Sequence, residues 1–236
     1  MDSPFKEALP RNFFDADVET VAKALIGVSV FTLDPKGNRT GGMIVETEAY
    51  DQNDFSAHCY CPDGKRTKKL GAAEAMFLSA GHTYFYYTRS GYCVNFVCGE
   101  EGFGSAVLIR ALMPEIGIDI MRERRIEKST FARLKDDELF VYSLCNGPAC
   151  LGVALGINKN NRGQFLYDPP FELRLNNIAP QIIAGARVGL KDQMTRKHPN
   201  RINSKEVKDA IERPWRWGLI DSPFLSRPFP LAASKA

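Results

Sequence analysis

The residues with the clearest chemical content lie in one run, Gly42-Met43-Ile44-Val45-Glu46-Thr47-Glu48-Ala49-Tyr50. Strand alternation sends successive side chains to opposite faces. It predicts a core face of Met43, Val45, Thr47 and Ala49, and a second face of Ile44, Glu46, Glu48 and Tyr50. Neighbours on that second face stand about 6.6 Å apart. Two carboxylates and a phenol suit a pocket wall better than a core. A carboxylate held beside an apolar wall can take a proton from water. On periodicity alone, a surface carboxylate is the commoner reading of Glu48.

Other groups have chemical uses too. Tyr50, Tyr84, Tyr86, Tyr87 and Tyr92 could stack on bases, at about 1–3 kcal/mol each. That is comparable with the few kcal/mol needed to unstack a nucleotide. Strands also favour tyrosine for packing alone. Asp51, Asp54, His58, Cys59 and Cys61 are metal-ligand types, but Cys-x-Cys is not the usual zinc spacing and no second pair follows. No metal and no cofactor are expected. His58 fits either a surface position or a hydrogen bond to a ligand. Arg110 interrupts the apolar run 107–112 and must be paired or functional, with a buried ion pair as the competing reading. The chain lacks a Walker loop, a dinucleotide glycine fingerprint and a G-x-S-x-G elbow.

The elements that must position these groups can be read along the chain. Asp17 caps a helix with Val18, Val21, Ala22, Leu25 and Ile26 on one stripe, and Gly27 ends it. Strands are predicted at 28–33 and 42–50 around the turn Asp34-Pro35-Lys36-Gly37. Residues 51–71 read as an irregular loop. The runs 83–88 and 92–98 flank a compact turn, Arg89-Ser90-Gly91, and form a hairpin. A strand at 105–112 stops before Pro114, and a helix follows at 116–125. Asn146 caps a further helix with Pro148 near its start. Strands are expected at 182–190 and 214–219. Hairpins mixed with helices, without strict βαβ alternation, predict an α+β fold.

Composition narrows the function classes. With 236 residues, 44% hydrophobic and 25% charged, the chain reads as one globular domain over 1–236 with flexible ends near 1–8 and 227–236. No run suits a bilayer and the start lacks a signal-peptide layout, so an intracellular protein without a membrane partner is expected. Its six cysteines are expected to be free thiols. The net charge of +3 is modest. Lys65, Arg66, Lys68 and Lys69 are clustered, and Lys191, Arg196, Lys197, Arg201 and Lys205 form a second basic stretch. Such groups could neutralise phosphates or lie on solvated loops.

Together these segments resemble the alkyladenine (3-methyladenine) DNA glycosylase family from about Leu9 to Ser226. The main block is Ile44-Val45-Glu46-Thr47-Glu48-Ala49-Tyr50 with His58 eight residues on. Others are Ala75-Met76-Phe77, Gly91-Tyr92-Cys93-Val94-Asn95, Leu108-Ile109-Arg110-Ala111-Leu112, Leu144-Cys145-Asn146-Gly147-Pro148, Ala186-Arg187-Val188-Gly189 and Arg213-Pro214-Trp215-Arg216-Trp217 with Ser222-Pro223. The resemblance implies one α+β domain around an antiparallel sheet, surrounded by helices, with a hairpin that enters DNA. It implies a monomer that flips damaged purines out of double-stranded DNA, in a cytoplasmic (nucleoid) or nuclear setting. Glu48 matches the water-activating carboxylate, Arg110 the arginine that helps position the water, and the Val188 carbonyl a further water contact. Tyr50 and Tyr86 match rings that sandwich the base, His58 a contact to its edge, and Asn95 a residue that crowds an exocyclic amine. The implied reaction is hydrolysis of the N-glycosidic bond of alkylated or deaminated purines without strand cleavage.

The hairpin departs from the family pattern. Its tip is one residue shorter, and Arg89 stands nearest the place of the usual tyrosine wedge; Tyr87 or Tyr92 could substitute under a shifted register. Arg89 and the Lys65, Arg66, Lys68 and Lys69 cluster are expected to touch DNA. The altered tip leaves a non-catalytic lesion-binding protein as an alternative. The acidic residues with His58 leave a metal-dependent hydrolase, and basic patches alone also fit RNA.

Overall fold

A computed structural model describes residues 5–64, 70–128 and 140–230. The basic cluster Lys65, Arg66, Lys68 and Lys69 lies outside the described residues. Among the described residues, nine strands form one sheet in which every pairing is antiparallel. They are β1 (Phe5–Ala8), β2 (Ser29–Leu33), β3 (Arg39–Asp51), β4 (Thr83–Thr88), β5 (Gly91–Val97), β6 (Ser105–Ile116), β7 (Phe171–Asn176), β8 (Ile182–Gly185) and β9 (Arg216–Leu219). The main order is β1-β7-β2-β3-β6-β5-β4, with β9 alongside the second half of β3 and β8 beside β9. Helices α1 (Val18–Ala24), α2 (Ile118–Glu127), α3 (Phe140–Leu144), α4 (Pro148–Ala154), α5 (Leu190–Lys197) and α6 (Lys205–Glu212) surround it. The α+β expectation holds.

Local chemistry explains the elements next to the site. The Asp17 carboxylate accepts the N–H groups of Glu19 and Thr20, both at 3.0 Å, and starts α1. Val18, Val21 and Ala22 on α1 are buried, and the Thr47 hydroxyl on β3 donates to the Ala22 carbonyl at 2.8 Å. The main core joins Ile44, Ala49, Phe85, Phe96, Ile109, Leu112 and Met121. Apart from Ala49, each of these side chains contributes about 1.5–3 kcal/mol gross on burial.

The strand that carries the candidate acid does not alternate simply. Against β6, Ile44 pairs with Leu112 and Glu46 with Ala111, so Val45 is an extra residue on β3. Next, Glu46 pairs with Ala111 and Thr47 with Ile109, so Arg110 is an extra residue on β6. These offsetting bulges exchange the faces of both strands. Before the bulge Ile44 enters the main core; after it Ala49 does, while Met43 and Val45 pack with Ala111 in a separate small cluster. The expected grouping of Met43 and Val45 with Thr47 and Ala49, and of Ile44 with Glu48, is therefore corrected. The same device brings Arg110 out of an otherwise apolar strand to face the carboxylates.

Several boundaries differ from expectation. β6 runs through Pro114 to Ile116, because a third register shift, near Gly42, leaves the proline at an irregular point of the ladder. A Cβ on Gly42 would stand 2.0 Å from the Met113 carbonyl oxygen, so the close approach of β6 requires glycine there. Asn146 does not cap α4. It bridges Ala111 across the bulged strand, and Gly147 occupies the cap position. The expected strand 182–190 ends at Gly185, and Leu190 begins α5. Gly189, at φ 75°, makes that turn possible.

Candidate active site

Glu48 is fully buried and holds a fixed set of donors. The Tyr50 hydroxyl donates to Oε2 at 2.8 Å, and Arg110 Nη1 lies 3.2 Å from the same oxygen. The Val188 N–H donates to Oε1 at 2.7 Å. A carboxylate has about four acceptor sites, so one remains on Oε1. Val188 thus touches Glu48 through its N–H, a contact not expected from the sequence.

Glu46 has a different setting. Its Oε1 accepts Arg110 Nε at 3.0 Å, Arg216 Nε at 2.7 Å and the Ser226 hydroxyl at 2.9 Å, and its Oε2 accepts the Ser226 N–H. Arg110 spans both carboxylates. Burial works against the Arg110 cation, but Glu48 and Glu46 more than offset this and raise its pKa. At Arg216 burial dominates and lowers the pKa, with Glu46 opposing. Glu46 therefore positions Arg110, while Glu48 keeps an open acceptor.

Beside Glu48 lies a cleft of about 390 Å³, its open mouth included, lined by Tyr50, Ser56, His58, Met76, Tyr84, Tyr86, Asn95, Leu190 and Gln193. Tyr50 belongs to both settings, with its ring in the cleft and its hydroxyl on Glu48. Burial, then Glu48, pushes the Tyr50 pKa well above its ordinary value, so the phenol stays a donor. Arg187 stacks on Tyr50, with Cζ 4.6 Å from the ring centroid. That guanidinium is held by Asp54, by the Ala49 carbonyl at 2.7 Å and by the Ala210 carbonyl at 2.9 Å.

The other wall is equally organised. His58 Nδ1 lies 2.7 Å from the Tyr84 hydroxyl, and its ring meets Tyr86 edge-on at 4.7 Å. Burial, then the charge of Lys197, lowers the His58 pKa, which favours the neutral ring. Asn95 donates its amide nitrogen to the carbonyls of Tyr84 at 3.0 Å and Cys93 at 3.3 Å, and among the described residues its oxygen has no partner. Behind Tyr86, burial pushes the Cys93 thiol up to about 11.

The structure thus brings together Glu48, Arg110, Val188, Tyr50, His58, Tyr86 and Asn95. Arg89 lies apart from them, exposed in the two-residue turn between β4 and β5. Tyr87 is 58% exposed and lies against Tyr92, their ring centroids 5.0 Å apart. Alternation along β4 directs Tyr87 away from Tyr84 and Tyr86. Arg187, Ser56, Leu190 and Gln193 were not singled out from sequence as individual site residues; only the block containing Arg187 gave a signal. Among the described residues, no group of three or more His, Cys, Asp or Glu side chains gathers as a metal site. The six cysteines are free.

Residues 12–223 match the methylpurine-DNA glycosylase family. The chain belongs to that family. It is 37% identical over 217 residues to a Nitrosospira multiformis protein, covering 92% of each chain. It is 36% identical over 230 residues to one from Agrobacterium fabrum, covering 97% of each. A Rhodopseudomonas palustris relative is 37% identical over 222 residues, with 94% of this chain and 92% of the relative covered. All three relatives are named as candidate 3-methyladenine DNA glycosylases. Membership makes the chain a DNA-repair hydrolase that acts on N-glycosidic bonds in DNA. No helix among the described residues is long and apolar enough to cross a membrane.

Proposed function

We propose that this chain is a monofunctional glycosylase that hydrolyses alkylated or deaminated purines from double-stranded DNA, with Glu48 activating the water. The observation that carries this reading is the Tyr50 bridge: one phenol forms the wall of an aromatic cleft and donates to a buried carboxylate at 2.8 Å. A purine flipped between Tyr50 and Tyr86 sets its sugar near Glu48. The open site on Glu48 Oε1 accepts a proton from water, and the water oxygen attacks the anomeric carbon as the base departs. The negative carboxylate also stabilises the oxocarbenium-like transition state. Alkylation at N3 or N7 makes the purine cationic, so it leaves neutral, whereas an uncharged deaminated purine must take up a proton from solvent as it departs. Arg110 holds Glu48 in place and, with the Val188 carbonyl, orients the water. His58 and Asn95 touch the base edge, the latter crowding an exocyclic amine.

The chain acts as a single-domain monomer over 1–236, inside the cell where the DNA is. Its hairpin meets the minor groove through Arg89, with Lys65, Arg66, Lys68 and Lys69 as phosphate contacts. A metal-dependent hydrolase using Glu46, Glu48, Asp51, Asp54 and His58 is disfavoured because arginines already engage Glu46, Glu48 and Asp54. A lesion binder without catalysis remains the second reading, favoured only by the altered tip. Incubating the protein with methylated duplex DNA in chelator and identifying the released bases by chromatography separates these. Free methylpurine with an intact backbone is expected. Lesion binding without release would establish the binder, and loss of release in chelator would establish a metal requirement.

A further inference from the structure

α5 carries a side chain into the cleft that the mechanism above does not use. Val188 touches Glu48, Gly189 turns the chain, and Leu190 and Gln193 on the first turns of α5 then line the cleft. The polar groups around Gln193 are largely committed. Ser56 donates its hydroxyl to Asp54, at 2.9 and 3.0 Å from the two oxygens. His58 uses Nδ1 on Tyr84, and Asn95 uses its amide nitrogen on two carbonyls. Gln193 is half-buried, and among the described residues neither end of its side-chain amide has a hydrogen-bond partner. Of the cleft-lining residues, it alone offers an adjacent donor and acceptor that are both free.

A glutamine amide complements adenine's N6 amino group and N7, accepting from one while donating to the other. 3-Methyladenine keeps both atoms. 7-Methylguanine carries a carbonyl at position 6 and a methyl group on N7, so the same pairing is lost. We propose that Gln193 reads the adenine edge of the flipped base and biases the enzyme towards 3-methyladenine over 7-methylguanine. The proposal rests on the glycosylase reading above and adds a selectivity residue to it.

The test uses duplex DNA treated with a methylating agent, which carries both lesions in one tube. Initial release of each base is followed for the wild type, Gln193→Ala and Gln193→Met. Both variants should lower the ratio of 3-methyladenine to 7-methylguanine release by about tenfold. If the wild type leaves 7-methylguanine in place, affinity for a duplex with a tetrahydrofuran abasic analogue becomes the comparator, since that site places no base in the cleft. A ratio within twofold of wild type overturns the proposal, whether neither rate changes or both fall together as for a phosphate contact. Wild-type selectivity in Gln193→Met also overturns it, because shape alone would then suffice. A wild type that releases neither base sinks the glycosylase reading itself; a wild type that releases both, with variants of unchanged ratio, sinks only the role of Gln193.

Discussion

Replacing Arg110 by methionine should expose how the buried Glu48 carboxylate is held. The guanidinium makes three contacts in the buried network: Glu46 at 3.0 Å, Glu48 at 3.2 Å and the Ser226 hydroxyl at 3.1 Å. Methionine fills much of the aliphatic volume but removes the charge. Glu46 keeps Arg216 and Ser226, whereas Glu48 keeps only the Tyr50 hydroxyl and the Val188 N–H. Breaking one side of a buried pair costs about 3–5 kcal/mol, mostly through the charge left behind. For a chain of this size that lowers Tm by about 6–20 °C. Adding Glu48→Gln removes the stranded charge, so the double variant should recover about 1–3 kcal/mol relative to the sum of the singles. Denaturant unfolding of the four proteins in the cycle measures this without any activity assay. An Arg110→Met cost below about 1 kcal/mol, or strict additivity with Glu48→Gln, would refute the claim that Arg110 neutralises Glu48.

Further predictions concern the cleft and the hairpin. Tyr50→Phe keeps the ring but removes a hydrogen bond to a carboxylate worth about 1.5–3 kcal/mol; single-turnover base release should slow by about 10–100-fold with lesion-duplex affinity little changed, and an unaltered rate would exclude the Tyr50–Glu48 coupling. His58 should titrate below 6.5 by NMR, and Lys197→Ala should raise the midpoint without reaching 6.5, since burial is the larger cause; a midpoint at or above 6.5 contradicts the burial. Because the folded-state pKa is lowered, the neutral ring's stability contribution is present above 6.5. It is lost as pH falls through the folded value, because the unfolded chain takes up the proton first. Arg89→Ala should weaken lesion-duplex binding or slow base flipping, and an unchanged affinity and flipping rate would show that another residue fills the gap left by the base.

Much of the scaffold was legible because local chemistry agreed with the global fold. Asp17 before an apolar stripe marked α1, and two runs rich in aromatic and β-branched residues around Arg89-Ser90 marked the β4–β5 hairpin. The bulges at Val45 and Arg110 were hidden, since a register shift is a property of two paired strands and one strand's alternation cannot reveal it. Glu46 and Glu48 look equivalent within their own strand. What separates them is Arg216 and Ser226, 170 and 180 residues along the chain from Glu46. Arg187 likewise acquires its place from Asp54, 133 residues away. The chain around Val188 and Leu190 read as strand because its apolar residues fit either period. Only Gly189 hinted at the turn that brings Val188 to Glu48 and Gln193 to the cleft.

The central claim is that Glu48 takes the proton of the attacking water. Glu48→Gln preserves size but cannot serve as that base. Single-turnover release from a duplex with one alkylated purine, measured alongside lesion-duplex affinity, tests it directly. The account predicts near-normal affinity and release slowed by about 10²–10⁴-fold. Base release at the wild-type rate by Glu48→Gln would contradict it.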